Sequence, residues 1–580
     1  MKYLRRELAQ YKKEAVLAPL FKMLEASFDL LVPLVVAKLI DSGALQKDTG
    51  LVIRCCLLLV AMAVLGLLSS FTAQYFAAKA AIGSASQLRS KLFAHIQDFG
   101  YPDMDRLGVS TLITRLTGDI QQVQNGLNMF LRLFLRSPFV VAGAVIMAFA
   151  VSPRVALLFV AGVAALALIV VAVMRITAPR YKRIQEQTDT VTVETRESLS
   201  GVRVIRAFGM EETTRRHFDE GNAVLHGLQI AAGRISALMN PLTYAVVNIC
   251  LILILRKSAA LVNTGELTQG SVIALVNYLS QILVELVKLA NLVVLLSRAL
   301  ASLGRVEQVL DTEPVLADNR KGFREPEGEE AVRFDHVHYS YAGAGDESLT
   351  DIHFAVRRGE TLGIIGGTGS GKSTVVNLIP RFYEATGGCV SVLGHPAAGW
   401  NTECLRNRIA LVPQKAQLFR GTVRSNLMWG STGEASDEVL WQALRLAQAE
   451  EFVRQKPGGL DEPVEQGGRN FSGGQRQRLT IARALVRKAD ILILDDSASA
   501  LDYATDAALR KALRSLPERM TVVIVSQRTS SLKHADHILV LEDGRQAGFG
   551  SHESLMADCP VYREIHESQF RKGDEVYEEQ

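Results

Sequence analysis

Residues 155–174 read VALLFVAGVAALALIVVAVM, twenty residues without a charge. A helix needs about 20 apolar residues to cross the hydrocarbon of a bilayer. Within lipid, only a helix or a closed barrel satisfies its own backbone hydrogen bonds. A second run, ISALMNPLTYAVVNICLILIL at 235–255, makes the same demand. Six candidate spans follow from runs of this kind, near 15–40, 51–78, 127–151, 155–175, 235–256 and 271–297. The first and third are weaker, because they carry Lys22, Glu25 and Asp29, and Arg132 and Arg136. Charges within a span face a bundle interior or a water-filled cavity.

Basic residues orient the bundle. Lys2, Arg5, Arg6, Lys12 and Lys13 precede the first span. Arg89, Lys91, Arg106 and Arg115 lie between the second and third, and a further basic group, including Arg180, Lys182, Arg203 and Arg215, between the fourth and fifth. The alternate connections are short and poorer in charge. Both termini are therefore expected on the cytoplasmic side of a cell membrane. The two long basic segments should extend the membrane helices and turn back at short helices near YPDMDRLG (101–108) and AFGMEE (207–212). The amphipathic start MKYLRRELAQYKKE reads as an elbow helix on the inner surface, since no signal-peptide pattern follows it. In the last span Gln281, Glu285 and Lys288 share one helical face. They read either as a polar stripe on a translocation cavity or as an ion pair that holds helices together.

The chain has 580 residues and a formal net charge of +4, which gives no argument for a nucleic-acid partner. The cysteines at 55, 56, 250, 389, 404 and 559 show neither a disulfide framework nor a metal spacing. After about Leu300 the long apolar runs stop. A membrane domain over 1–310, a polar linker over 311–330 (DTEPVLADNRKGFREPEGEE) and a soluble α/β domain over 331–580 are expected.

In the soluble part, TLGIIGGTGSGKSTVVNLI (361–379) is a strand, a glycine-rich loop and a helix start. Gly366, Gly367, Thr368, Gly369, Ser370 and Gly371 let backbone N–H groups approach phosphates, and Lys372 adds a cation. Ser373 offers a hydroxyl to Mg²⁺, and Thr374 follows it into the helix. The strand ADILILDD (489–496) ends on Asp495, a magnesium-side carboxylate, and Asp496. Together they predict a site for ATP and Mg²⁺. FSGGQRQRLTIARAL (471–485) puts two glycines after a serine at a helix start, a second anion-binding geometry.

In this order the motifs resemble those of the ATP-binding cassette (ABC) transporters, and the chain resembles an exporter half, with six membrane helices fused ahead of one α/β phosphate-loop cassette. The resemblance covers nearly the whole sequence. It implies that GGTGSGKST is the Walker A loop and ILILDD the Walker B strand. It implies that Gln414 is the glutamine sensing the magnesium site, and that Phe471, Ser472, Gly473, Gly474 and Gln475 form the signature. SALD, ending at Asp502, would be the D-loop, and Tyr341 the aromatic stacked on adenine, unless it only packs on its sheet. The segments at 101–108 and 207–212 would be coupling helices.

Two positions depart from the family pattern. Asp496 stands where a glutamate polarises the attacking water, and Gln527, in TVVIVSQRTS, stands where a switch histidine is usual. In the family two cassettes sandwich two ATP molecules, each held by the Walker motifs of one and the signature of the other. Both departures would fall in the pocket built on this chain's own Walker motifs. That pocket should bind ATP and hydrolyse it slowly, while the intact signature would serve a partner's site. The expected assembly is a heterodimer with a second ABC half-transporter, in a lipid bilayer, exporting a small amphipathic, drug-like or lipid-like molecule. A homodimer with tolerated substitutions, a membrane-embedded ATP sensor and an importer with this fold remain open at this point.

Overall fold

The computed structural model describes residues 1–316, 319–497, 501–514 and 520–570. They form two compact units, residues 1–97 with 110–312, and residues 98–109 with 313 onward.

The first unit is helical throughout. Among the described residues five helices are long and apolar enough to cross a membrane: Thr49–Gln97, Val109–Val151, Pro153–Ser200, Glu211–Asn263 and Gln269–Leu310. The remaining expected span is Lys12–Lys38, a single helix of 27 residues that runs through Pro19 and Pro33. Lys22, Glu25 and Asp29 lower its hydropathy. At 1.5 Å per residue, the other five, of 42 to 53 residues, reach roughly 60–80 Å, at least twice the hydrocarbon thickness. The long basic segments are thus the outer parts of these helices rather than loops. Along the spans, side chains such as Leu57, Leu58, Leu65, Leu68 and Phe71 are exposed, as a lipid-facing surface requires, whereas Ala73, Ala77, Ala80 and Ala81 are buried. Ala77, Ala80 and Ala81 pack with Ala18, Leu127 and Leu131, the small side chains letting helix backbones come close.

Short helices stand at both expected turns. Tyr101–Leu107 belongs to the second unit and ends at Gly108, whose φ is 75°. The other spans Val202–Ala207, upstream of the expected 207–212. Its stop lies at Gly209, in the left-handed region at φ 62°, and Glu211 begins the next helix.

The second unit is built on a sheet. Its strands are β1 (Glu330–Tyr339), β2 (Leu349–Arg357), β3 (Thr361–Gly366), β4 (Gly387–Val392), β5 (His395–Pro396), β6 (Ile409–Val412), β7 (Gly421–Thr422), β8 (Pro463–Val464), β9 (Ile491–Asp495), β10 (Thr521–Val525), β11 (His537–Glu542) and β12 (Arg545–Gly550). Ten of them form one sheet in the order β5-β4-β1-β2-β12-β11-β3-β10-β9-β6, while β7 and β8 pair separately. β11, β3, β10, β9 and β6 run parallel, and their Val, Ile and Leu residues are buried, apart from the half-buried Leu411 and Ile524, as a two-faced parallel sheet requires. A second apolar core joins helix Asp437–Leu446 to the signature helix Gly473–Val486 through Leu440, Leu444, Leu479 and Ile481.

Candidate functional site

Sheet order brings together residues far apart in the sequence. Ile364 of β3, Val525 of β10 and Asp495 of β9 occupy one row of the parallel ladder, and Leu494 pairs with Val412 of β6. The glycine loop, Gln527, Asp496 and Gln414 therefore leave the carboxyl ends of four neighbouring strands, where open α/β sheets bind their ligands.

The loop's shape follows from its glycines. A Cβ on Gly366 would lie 2.2 Å from the Leu541 carbonyl oxygen, so a side chain does not fit there. Gly371 takes φ 92°, and a Cβ there would meet Leu349 Cδ2 at 2.6 Å. Between them Gly367, Thr368 and Gly369 are exposed and Ser370 is buried. Lys372 Nζ donates to the carbonyls of Gly366, at 2.9 Å, and Gly367, and to Ser370 Oγ at 3.2 Å. Burial lowers the Lys372 pKa, against the pull of Asp496 and Asp495. Burial also raises that of Asp495; the nearby Asp496 charge adds to the rise, while a hydrogen bond from Ser373 and the Lys372 charge oppose it. A half-desolvated ammonium and carboxylate stand side by side, each of which gains from an incoming charge of opposite sign. The Ser373 hydroxyl, Asp495 carboxylate and Gln414 amide are oxygen donors of the kind magnesium takes, so the residues present fit that ion.

Asp496 sits in the left-handed region at φ 45°. Its N–H donates to the Val525 carbonyl at 3.1 Å, and its Oδ2 accepts from Gln414 Nε2 at 3.3 Å. Gln527 is exposed two residues beyond Val525, and its carbonyl accepts from Gln569 Nε2 at 2.7 Å.

Other expected site residues stand further along the fold. Phe471 is buried, while Ser472 and Gly473 are exposed at the start of the signature helix and Gly474 is half-buried. Ser472 Oγ accepts from the Gln475 N–H at 3.3 Å, and Gln475 Oε1 accepts from the Ser472 N–H at 3.0 Å, a reciprocal cap. Asp502 caps helix Tyr503–Arg514 by accepting from the N–H and hydroxyl of Thr505, both at 2.8 Å. Ser499 and Ala500 of the D-loop lie outside the described residues. Tyr341 is half-buried, edge-on to Tyr339 and Tyr383, with its hydroxyl 3.1 Å from Thr374 Oγ1.

For two further groups the sequence pointed to the residues but not to their partners. The short helix at 101–107 is held by Tyr101 stacked on Phe382 at 4.4 Å and by Tyr383 Oη donating to Asp105 at 2.7 Å. In the membrane unit Arg136 is the hub of an ion ladder. It donates to Asp29 Oδ2 at 2.9 Å and to Glu285, which accepts from Ser137 at 2.7 Å and from Lys288 at 3.0 Å. Asp29, Arg136, Gln281, Glu285 and Lys288 also line a cavity of about 450 Å³. The stripe expected on the last span is thus paired and cavity-lining at once.

Residues 16–286 match the ABC transporter transmembrane region, and residues 349–499 the ABC transporter cassette. An uncharacterized ABC transporter ATP-binding protein of Mycobacterium tuberculosis is 35% identical over 98% of this chain and 97% of its own length. The ATP-dependent lipid A-core flippase of Salmonella typhimurium is 28% identical over 97% of this chain and 96% of its own. The fold is that of a bacterial Atm1-family ABC exporter solved with ATP bound, with a TM-score of 0.82 at 22% identity, over 98% of this chain and all of the other. The chain belongs to the ABC transporters, as an exporter half in which a multi-pass membrane domain and an ATP-hydrolysing cassette share one polypeptide.

Proposed function

We propose that this chain is the slow-hydrolysing half of a heterodimeric exporter that moves a small amphipathic solute or drug out of the cytoplasm. The observation that carries the reading is the placement of Asp496 and Gln527 at the ends of adjacent strands beside the phosphate loop. Neither residue has the reach or the chemistry of a glutamate–histidine pair. An Asp carboxylate extends roughly 1 Å less than that of Glu, and a misplacement of that size can cost about 10²-fold in rate. Glutamine has no titratable nitrogen with which to share a proton.

Binding is better provided for than hydrolysis. Lys372 and the N–H groups of 367–373 would hold the phosphates, and Tyr341 the adenine. Bound magnesium would supply positive charge between the phosphates, held by Ser373, Asp495 and Gln414. Ser472, Gly473 and Gly474 would complete the partner's site, where most turnover would occur. Closure of the cassettes would pass through the short helices 101–107 and 202–207 to the membrane helices, which turn as rigid elements. Both termini would face the cytoplasm, in keeping with the lysines and arginines of the long segments. The flippase relative and the mixed polar and apolar lining of the cavity favour amphipathic cargo.

The test is ATPase activity of the purified chain, alone and with candidate partner halves, in lipid. Slow turnover alone and fast turnover in the pair are expected. Fast turnover by the chain alone would refute the asymmetric scheme. Tight ATP binding in the pair without ATP-driven solute accumulation in vesicles would favour a sensor instead.

A further inference from the structure

Strands β1 and β2 carry two short patterns that the nucleotide site does not use, His336-Val-His338 and Asp351-Ile-His353. Strand residues two apart share a face, so each pattern aligns its pair. Pairing between the strands is irregular here. Asp335 and His336 together oppose His353 between the pairs Phe334–Phe354 and Val337–Ile352. On the other side, Thr350 and Asp351 together oppose His338. Two bulges on opposite strands thus flank a single regular pair. His336 takes φ 47° and Asp351 φ 55°, the left-handed region that most side chains avoid. Bulges re-aim side chains, and these two turn an imidazole and a carboxylate toward a second imidazole. His336 Nδ1 lies 2.6 Å from Asp351 Oδ1, the His336 and His353 rings stack at 5.5 Å, and one ligand atom from each of the three residues lies within 4.8 Å of the others. His338 is not part of the trio, its Nδ1 being engaged by Glu347 at 3.0 Å.

We propose that His336, Asp351 and His353 form a site for a borderline divalent transition-metal ion of the zinc type on the exposed face of β1 and β2. Two imidazoles and one carboxylate are ordinary zinc ligands, at about 2.0–2.2 Å from the ion. The nitrogen donors set the site apart from the all-oxygen magnesium set at Ser373, Gln414 and Asp495. Small side-chain rotations bring the three ligand atoms onto one ion, and its remaining position stays open to water. All three residues are exposed, so the ion needs no opening of the core.

The test is calorimetric titration of Zn²⁺ into the tag-free full chain in detergent, without nucleotide. One saturable equivalent is expected. His353→Ala should weaken it by at least ~10-fold, the lower end of what loss of even an indirect support costs a metal site. His336→Ala with His353→Ala should abolish it. Co²⁺ should give visible d–d bands in the wild type that the double variant lacks. The metal-free melting temperature should not change, since the side chains are on the surface. Absence of saturable Zn²⁺ binding, or binding that survives the double substitution, would overturn the site.

Discussion

Asp496→Glu should convert a holding pocket into a hydrolysing one. The main chain at 496 is tied to β10, which opposes a shift that would compensate for the short side chain. Its N–H is fixed on Val525 at 3.1 Å, and its carboxylate is held by Gln414 at 3.3 Å. The missing methylene therefore appears in full as a shortfall of roughly 1 Å, which can cost about 10²-fold. At 1.36 kcal/mol per decade, recovering it lowers the barrier by about 2.7 kcal/mol. Against this, φ is 45° at 496, where Asp is better tolerated than Glu. That difference is of order 1 kcal/mol of stability, and it falls on the fold rather than the reaction. The assay is single-turnover phosphate release from the proposed heterodimer, with the partner's own Walker B glutamate changed to glutamine so that only this pocket reports. The rate should rise about 10²-fold with Asp496→Glu, and further when Gln527→His is added. An unchanged rate with ATP still bound would refute the geometric argument. A wild-type pocket already as fast as the unmodified partner would refute it too.

Arg136→Met leaves Asp29 and Glu285 without their common partner and should destabilise the membrane unit by about 3–5 kcal/mol, measured by unfolding in detergent. Adding Glu285→Met should recover part of that loss, which a purely steric effect would not. Tyr383→Phe or Asp105→Asn removes the hydrogen bond holding helix 101–107 and should lower transport per ATP hydrolysed, read in vesicles, more than ATPase itself. Burial raises the Asp495 pKa, so the carboxylate takes up a proton above the ordinary range of about 3.9. Two signs follow. Stability of the nucleotide-free protein should gain from this group as pH falls through that range, whereas nucleotide affinity measured with Mg²⁺ should fall. Binding without Mg²⁺ should change less.

How far the sequence foretold the site depended on whether contiguous backbone made the chemistry. The loop at 366–373 was legible because its glycines, lysine and serine act within one turn of chain, and β9 was legible because its apolar run ends in acids. The adjacency of Gln414, Asp496, Gln527 and the loop came only through the family resemblance, because it arises from the strand order β3-β10-β9-β6, which no local pattern encodes. Asp502 illustrates a residue with two possible duties. Its place at the end of SALD suggested a D-loop residue of the nucleotide site, and the fold shows it capping a helix through Thr505. The turn at 202–207 was misplaced because Gly209, inside the quoted segment, ends the short helix instead of lying within it.

The charges of the membrane unit show where sequence reasoning stops and what the structure adds. An arginine at membrane depth costs several kcal/mol unless paired, so Arg136 by itself predicts an acidic partner. Glu25, Asp29 and Glu285, on two different helices, are acids available to it. The guanidinium is bonded to Asp29 and Glu285 and reaches Glu25 only at 3.9 Å, Lys288 shares the Glu285 carboxylate, and Lys22 pairs with Glu25. Two cations and two carboxylates around one cavity cancel. The lining then exerts no long-range preference for an anion or a cation, and discrimination falls to local hydrogen bonds and apolar contact. Such a cavity should favour cargo of low net charge with a polar end. A strongly charged peptide or nucleotide would have to displace a ladder partner, at the cost of exposing a buried charge.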